Sequence, residues 1–308
     1  NVDILVPNEV EARALTGVAD PRQAAGLLRE RGIESVIVTL GKRGALLVDG
    51  QGIREIAPFE VEAVDSTAAG DAFVGALAAA LARERAIDEA AYYASAAGAL
   101  AVTVVGAQPS LPTLGAVESL IALAEGRPPV GYPEERHMSF RSNRGDEILI
   151  RPILPTDAPR LKQTFDELSP ESVYRRFFSH RRNLTDNEAR SLATVDYHNS
   201  FALVAAPATQ PERLIGVARF APSPERGGAV EMAIVIIDAF QHQGIGRALF
   251  RELADTARDL GHHWMLIETQ SDNQAMADLA TSAGHRTETG NDGMLLRIWL
   301  DLQGPRET

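Results

Sequence analysis

The sequence contains no cysteine. That excludes disulfides, a thiolate metal site and a covalent cysteine nucleophile, and it suits a reducing cytoplasm. Long apolar runs are missing too. A membrane span needs about 18 predominantly apolar residues. The nearest approach, Ala91 to Val105, is interrupted by Tyr92, Tyr93, Ser95 and Thr103. The first residues do not read as a signal peptide. The chain opens at Asn1, inside what reads as a strand (VDILV), so a preceding piece is expected. Basic residues are outnumbered, 30 Lys and Arg against 42 Asp and Glu, for a net charge of −12. This argues against nucleic acid or an anionic membrane as the main partner. What is present suffices for real cores: 45% of the 308 residues are hydrophobic. The length predicts one large or two ordinary domains.

The most informative stretch is Ile234 to Arg247, IVIIDAFQHQGIGR. A β-branched run ends at Asp238, a glycine turn follows, and an amphipathic pattern begins at Arg247. Strand, glycine turn and helix make a pyrophosphate holder. The glycines let backbone N–H groups approach, and the helix start adds partial positive charge. The spacing Gln241-x-x-Gly244-x-Gly246 is not a dinucleotide fingerprint and lacks the Lys-Ser/Thr of a P-loop. An ordinary strand–helix turn is the alternative.

Residues 1–127 alternate strand and helix, which predicts α/β layering with a largely parallel sheet. Val2–Val6 reads as a strand, and Asn8–Thr16 as a helix stopped by Gly17. Pro21–Arg31 reads as a second helix. Ser35–Leu40 and Ala45–Val48 are strands about a turn at Gly41–Gly44. In VDSTAAGDAF (Val64–Phe73), Ala68, Ala69 and Gly70 open an alanine-rich helix expected to reach about Arg83. Small residues there leave the first N–H groups open to an anion. Asp71, on that first turn, can take a proton from a hydroxyl while the amides hold a phosphoryl group. A simple capping carboxylate is the alternative.

Together with PNEVEA (Pro7–Ala12), TLGKRG (Thr39–Gly44) and AVTVVGAQPSLP (Ala101–Pro112), this stretch resembles the C-terminal half of a ribokinase-type (PfkB) carbohydrate kinase. The resemblance implies Asp71 as the base, with Ala69 and Gly70 in the anion hole. It puts Asn8 and Glu11 near Mg²⁺ and the phosphates of ATP, Glu11 indirectly. Thr39, Gly41 and Gly44 would line the nucleotide. Asp65, Thr67, Ala101, Val104, Gly106 and Ser110 would surround a monovalent cation such as K⁺. Ser95 stands at the adenine side, where Asn or His is the family pattern. The family's N-terminal half, with most sugar-binding residues and the first strands of the sheet, has no counterpart. Without it a long hydrophobic sheet edge is expected, and phosphorylation of a sugar such as ribose by this half alone is not.

Residues 128–146 read as an exposed linker: a Pro-Pro pair, glycines and dense charge without periodicity. Met138 lies inside it, where the second half could begin as a protein of its own.

Residues 147–302 read as a strand at Ile148–Ile153, a helix from Thr156 to Leu168, and a helical stretch at Ser169–Phe178. A capping box at Thr185–Glu188 precedes a third helix. Strands follow at Ser200–Ala205, Leu214–Phe220 and Ala229–Ile237. The glycine loop and its helix come next, then a strand at Trp264–Glu268. A helix from about Asn273 to Ala283 and a strand at Met294–Leu300 complete the pattern. This order resembles a complete GNAT N-acetyltransferase domain. The fold class expected for the chain is therefore α/β: a partial ribokinase-like domain followed by a complete α+β GNAT domain. RPILPTDAPRL, LSPESVYRRFF, VDYHNSFALVA and IGVARF resemble the Pat-type protein lysine acetyltransferases most.

The chemistry fits. An amine must lose a proton before it attacks a thioester, and lysine's pKa is about 10.4, so a base helps. Glu231 begins the strand that leads to the glycine loop and matches the position of that branch's general base; a solvated strand Glu is the alternative. The resemblance implies that backbone groups of Ile236 and Ile237 pair with the pantetheine arm of acetyl-CoA. Gln243, Gly244, Ile245, Gly246 and Arg247 would hold its pyrophosphate. Asn273 matches a pantetheine contact, and an N-cap role suits it equally. The implied acceptor is a protein lysine, an acyl-CoA synthetase among the candidates. The helix 273–283 has no tyrosine to protonate the leaving thiolate. His180 and the pair His262-His263 lack partners at metal-ligand spacing. Arg175, Arg176, Arg181 and Arg182 read as a solvated basic face, and Tyr174, Phe177 and Phe178 as core.

Overall fold

The computed structural model describes residues 2–282, 284–291 and 293–304. Asn1, and Ala283 at the expected end of a helix, lie outside these. The chain divides into two compact units, Asn1–Val130 and Gly131–Thr308.

The first unit holds β1 (Ile4–Leu5), α1 (Glu9–Thr16), α2 (Pro21–Glu30), β2 (Ser35–Thr39), β3 (Ala45–Asp49), β4 (Gly52–Ile56), α3 (Ala69–Leu81), α4 (Ile87–Ala101) and α5 (Leu114–Ala124). Its sheet order is β1-β2-β3-β4. Alternation along the strands builds two cores. Val36, Val38, Leu46 and Val48 pack on Ala12, Ala24, Ala25 and Leu28 of α1 and α2. Ile37, Ala45, Leu47 and Ile56 pack on Phe73, Leu77, Ala94 and Ala97 of α3 and α4. The sheet is thus covered on both faces, as expected of α/β layering. It is not largely parallel, however. Only β1 and β2 run parallel; β2–β3 and β3–β4 are antiparallel. The cause lies in the connections. A tight turn and a two-residue hairpin at Gly50-Gln51 join β2 to β3 and β3 to β4, and neither is long enough for a crossover. Among the described residues β1, at the end of the order, is two residues long, shorter than the long hydrophobic edge expected.

The second unit holds β5 (Met138–Arg141), β6 (Glu147–Pro152), α6 (Ala158–Asp166), α7 (Pro170–Phe177), α8 (Asp186–Ala193), β7 (Phe201–Pro207), β8 (Gly216–Pro222), β9 (Ala229–Ile236), α9 (Ile245–Asp259), β10 (Trp264–Gln270), α10 (Gln274–Thr281), β11 (Thr287–Asn291) and β12 (Leu295–Asp301). They form one sheet in the order β11-β12-β10-β9-β8-β7-β6-β5. One face, with Leu203, Ala218, Phe220, Met232, Met265 and Ile298, packs on α9 through Leu249, Phe250 and Leu253. The other, with Ala202, Val204 and Ala206, packs on α6 to α8 through Leu161, Phe165, Val173 and Ala189.

The stretch expected to be an unstructured linker contributes to this sheet. Met138–Arg141 pairs with β6, and a tight turn at 142–146 joins them. The pattern was hidden because MSFR alternates over only four residues. β11 was also unforeseen, since TETGN carries no apolar residue. On α7, Val173 is buried and Phe177, four residues on along the same stripe, is half-buried against the same core. Phe177 packs on Phe165 at a ring distance of 5.7 Å. Tyr174 and Phe178 fall off that stripe and are 40% and 42% exposed, which corrects the core expectation for both. Asp157 is fully buried ahead of α6. Arg151 grips it with two hydrogen bonds of 2.7 and 2.8 Å, and Arg160 and the Leu154 N–H add bonds of 2.8 and 2.9 Å. Burial opposes its charge, yet these partners hold the carboxyl below its usual range.

Candidate active site

The site of the second unit grows from one discontinuity. β9 and β10 form the only parallel strand pair among the described residues of that sheet. Their register runs from Ala229–Trp264 to Met232–Ile267 and stops there. β9 continues to Ile236 on the arm of β8, so a gap opens beside its second half. The Ile237 N–H donates to Ile215 O at 3.0 Å. Strand alternation then turns the backbone groups of Ile234 and Ile236 toward the gap. Ile237 itself is spent: its carbonyl accepts from the Phe240 N–H at 2.9 Å, and its side chain is buried. The backbone groups of Ile237, expected to face a ligand, are thus both hydrogen-bonded within the unit. Gln241, which the sequence marks only as the first residue of the glycine spacing, reaches the gap. Gln241 Nε2 donates to Ile236 O at 3.0 Å and to Ser172 Oγ at 3.2 Å.

At the end of the gap, α9 begins. Gly244 is its N-cap residue, in the left-handed region at φ 86°, and supplies no side-chain cap. The first helical bond is Ala248 N–H to Gly244 O. The N–H groups of Ile245, Gly246 and Arg247 therefore have no partner within the helix. Gln243 and Ile245 are buried, 2% and 1% exposed, so only their backbones can serve a ligand. Gln243 Nε2 donates inward to Ala239 O at 3.0 Å. Arg247 is exposed on the first turn. The β5–β6 turn braces this loop: the Asn143 N–H donates to Gln243 O at 3.0 Å. A second brace is Asp238, which accepts from Ser169 N (2.9 Å), Ser169 Oγ (2.7 Å) and Ser172 Oγ (3.0 Å). Burial opposes the Asp238 charge, and these bonds hold its carboxyl below the usual range. They tie the start of α7 to the loop.

Glu231 sits where the parallel pairing ends, opposite Leu266, on the face that α6 to α8 cover. Burial raises its carboxyl above the usual range. The charges of Glu268 and Glu225 add to this, and Arg176 and Arg297 oppose it. Glu268 is held by Arg297 at 2.7 Å. A carboxylate so placed is a stronger base than a solvated one. Asn273 resolves toward its second expected role. It caps α10 through Met276 N at 3.3 Å and donates to Thr269 Oγ1 at 2.8 Å. The basic cluster divides. Arg175 pairs with Glu171 at 2.8 Å and Arg181 with Glu188, whereas Arg176 turns inward over the Phe177 ring. Arg219 of β8, also turned to this face, was not singled out in the sequence. Its signal was a charge at an inner position of an alternating strand, between Val217 and Ala221.

In the first unit, Asp71 lies exposed on the first turn of α3, whose N-cap Ala68 offers no side-chain cap. Asp65, Thr67 and Gly106 do come together. Asp65 accepts from Thr67 Oγ1 (2.5 Å), Thr67 N (3.0 Å) and Gly106 N (2.9 Å). The Thr67 hydroxyl first, then these amides, lower its carboxyl. Ser110 turns instead to Ala107 O at 2.8 Å, and Ala101 O accepts from Val104 N. Asn8 and Glu11 close a reciprocal capping box on α1, each side chain accepting the other's N–H. Thr39 bridges to Asn8. Ser95 Oγ donates to Ala57 O at 3.3 Å. Gly41 and Gly44 have φ of 59° and 83°. At Gly44 a Cβ would stand 2.1 Å from Ile56 O, so only glycine fits.

Comparison with known proteins agrees with this division. The pfkB family carbohydrate kinase model matches residues 1–114, and the Acetyltransferase (GNAT) family model matches 162–285. A ribokinase of Haemophilus influenzae is 45% identical over 117 residues, which are 36% of this chain and 38% of that protein. The chain therefore spans well under half the length of that relative. An acetyltransferase of Pseudomonas aeruginosa is 33% identical over 141 residues, 46% of this chain and 75% of that one. The crystal structure of the GNAT domain of S. lividans PAT covers 55% of this chain and 99% of its own, at a TM-score of 0.50 and 24% identity; that likeness concerns the fold. The chain belongs to the GNAT acetyltransferase family and carries, ahead of its GNAT domain, part of a domain that matches the pfkB family of carbohydrate kinases.

Proposed function

We propose that the second unit transfers an acetyl group from acetyl-CoA to protein lysine amines by direct attack. The observation that carries this is the gap beside β9, with Glu231 at one end and the uncapped start of α9 at the other. The N–H groups of Ile245, Gly246 and Arg247 would hold the pyrophosphate, helped by the Arg247 charge. Backbone groups of Ile234 and Ile236 would pair with the pantetheine arm as a strand does, once Gln241 gives up Ile236 O. Glu231 would take the proton of the attacking amine. The amine nitrogen bonds to the thioester carbon as the carbon–sulfur bond breaks, and the thiolate leaves. Without a cysteine, no acyl-enzyme route through that side chain exists. The Pat-like stretches support a lysine of a folded protein as acceptor, an acyl-CoA synthetase among the candidates. Incubation with labelled acetyl-CoA and purified acyl-CoA synthetases, with mapping of modified lysines, tests this. Label appearing only on free small amines would refute the protein acceptor.

A second reading concerns the first unit. Exposed Asp71 at an uncapped helix start supports a phosphoryl-transfer site, with Asn8, Thr39, Gly41, Gly44, Ala69, Gly70 and Ser95 on the ATP side. Glu11 would act indirectly on Mg²⁺, and the Asp65–Gly106 loops would hold K⁺. Because the chain spans 38% of the ribokinase relative, sugar phosphorylation is proposed only for a completed domain. Titration calorimetry of the chain with ATP and Mg²⁺ tests the nucleotide part; an absence of binding would refute it.

A further inference from the structure

Between the sheet of the second unit and α6 to α8 lies a cavity of about 50 Å³, lined by apolar side chains such as Leu161, Phe165, Val217 and Val235 and by the largely apolar surfaces of Arg176 and Arg219. Arg219 stands opposite Ala233, one alternation along β9 from Glu231 and on the same face. Among the described residues neither arginine has a hydrogen-bond or ion-pair partner. Burial, and then the neighbouring Arg219 charge, bring Arg176 down to about 10, with Glu231 opposing. Burial lowers Arg219 as well. Glu231 gives Arg176 one compensating charge, and two buried cations beside an apolar cavity remain costly to keep without a further anion.

We propose that this cavity receives an acyl group that ends in a carboxylate, carried on the coenzyme thioester, and that Arg176 and Arg219 bind that carboxylate. The inference rests on the reading of the β9 gap as an acyl-CoA site. Size sets the chain length. A water-sized group needs about 10–15 Å³ of such volume, so the cavity takes only a few heavy atoms beyond the thioester carbonyl. A short dicarboxylic chain fits, and a fatty acyl tail does not. The transfer step is unchanged: the carbon–nitrogen bond forms, the carbon–sulfur bond breaks, Glu231 takes the amine proton, and the distal carboxylate is carried across intact. The same chemistry could instead bring in a carboxylate on the acceptor amine, so binding must be read without acceptor.

The test is calorimetric binding of acetyl-CoA, butyryl-CoA and succinyl-CoA to the full chain. The last two have four-carbon acyl groups and differ in the terminal charge. Succinyl-CoA is expected to bind roughly ten- to hundredfold more tightly than butyryl-CoA, the range for hydrogen bonds to a charged group. R176Q and R219Q should each shrink that ratio, and continued butyryl-CoA binding shows that a variant is folded. Equal affinities in the wild-type chain, with acetyl-CoA bound, would overturn this inference alone and leave the acyl-CoA site standing. No binding of any thioester would overturn both.

Discussion

Replacing Glu231 by Gln keeps the shape of the side chain and removes its charge. The residue is exposed at the end of a ladder, so the change leaves no buried group unpaired. The fold should therefore hold, and the measured effect should be chemical. Loss of a general base costs roughly 10²–10⁴ in rate, or about 2.7–5.4 kcal/mol of barrier. The pyrophosphate donors on α9 are separate from Glu231, so acetyl-CoA affinity should stay within a few-fold. The pH dependence gives a second signature. Only the ionised carboxylate accepts a proton, and partial desolvation of the side chain, together with the Glu268 and Glu225 charges, raises its pKa. Wild-type kcat/KM should fall as pH drops through that raised value, and the variant should lack this limb. The assay is the initial rate of thiol release with a lysine peptide, alongside calorimetry with acetyl-CoA. A variant within threefold of wild type, or one that retains the acid limb, would refute Glu231 as the base.

Three further outcomes follow from the same geometry. Glu268→Gln removes the negative neighbour that adds most to the raised Glu231 pKa, so the acid limb of kcat/KM should move to lower pH. Gly244→Val forces a β-branched residue to φ 86° at the start of α9. The strain is about 1–2 kcal/mol, and calorimetry should show weaker acetyl-CoA binding with far-ultraviolet dichroism nearly unchanged. Asp157→Asn breaks a buried ion pair, at a cost of about 3 kcal/mol. Thermal melts should show the second unit weakened at neutral pH. Because the folded-state pKa of Asp157 is depressed, its contribution is present above the ordinary carboxylate range and is lost as pH falls through the folded value. The difference between variant and wild type should thus shrink in acid.

Local signals carried most of the fold. The Asn8–Glu11 and Thr185–Glu188 boxes gave two helix starts, and glycines gave the stops. The β-branched runs gave the central strands. What stayed hidden lacked local periodicity: β5 is four residues long, β11 has no apolar residue, and strand direction in the first sheet depended on turn length. The glycine loop and Glu231 could be singled out as candidates because strand, turn and carboxylate are contiguous in sequence. Gln241, Asp238, Arg176 and Arg219 were not assigned roles, because each acts across elements. Asp238 meets Ser169 69 residues away, a distance no motif encodes. Ile237 and Asn273 show the opposite case. Their spacing matches the family pattern, and their polar groups also hydrogen-bond within the fold, which no spacing reveals.

The short ladder between β9 and β10 has a further consequence. It pairs four residues, whereas β8–β9 and β10–β12 each pair seven. The amides of Ile234 and Ile236 face the seam where that ladder ends, so they should exchange with deuterium faster than those bonded to β8. A ligand that lies in the seam as a strand would slow the same amides. Exchange at these two positions therefore reports occupancy directly, without turnover, and separates a ligand that fills the seam from one held only at the helix start.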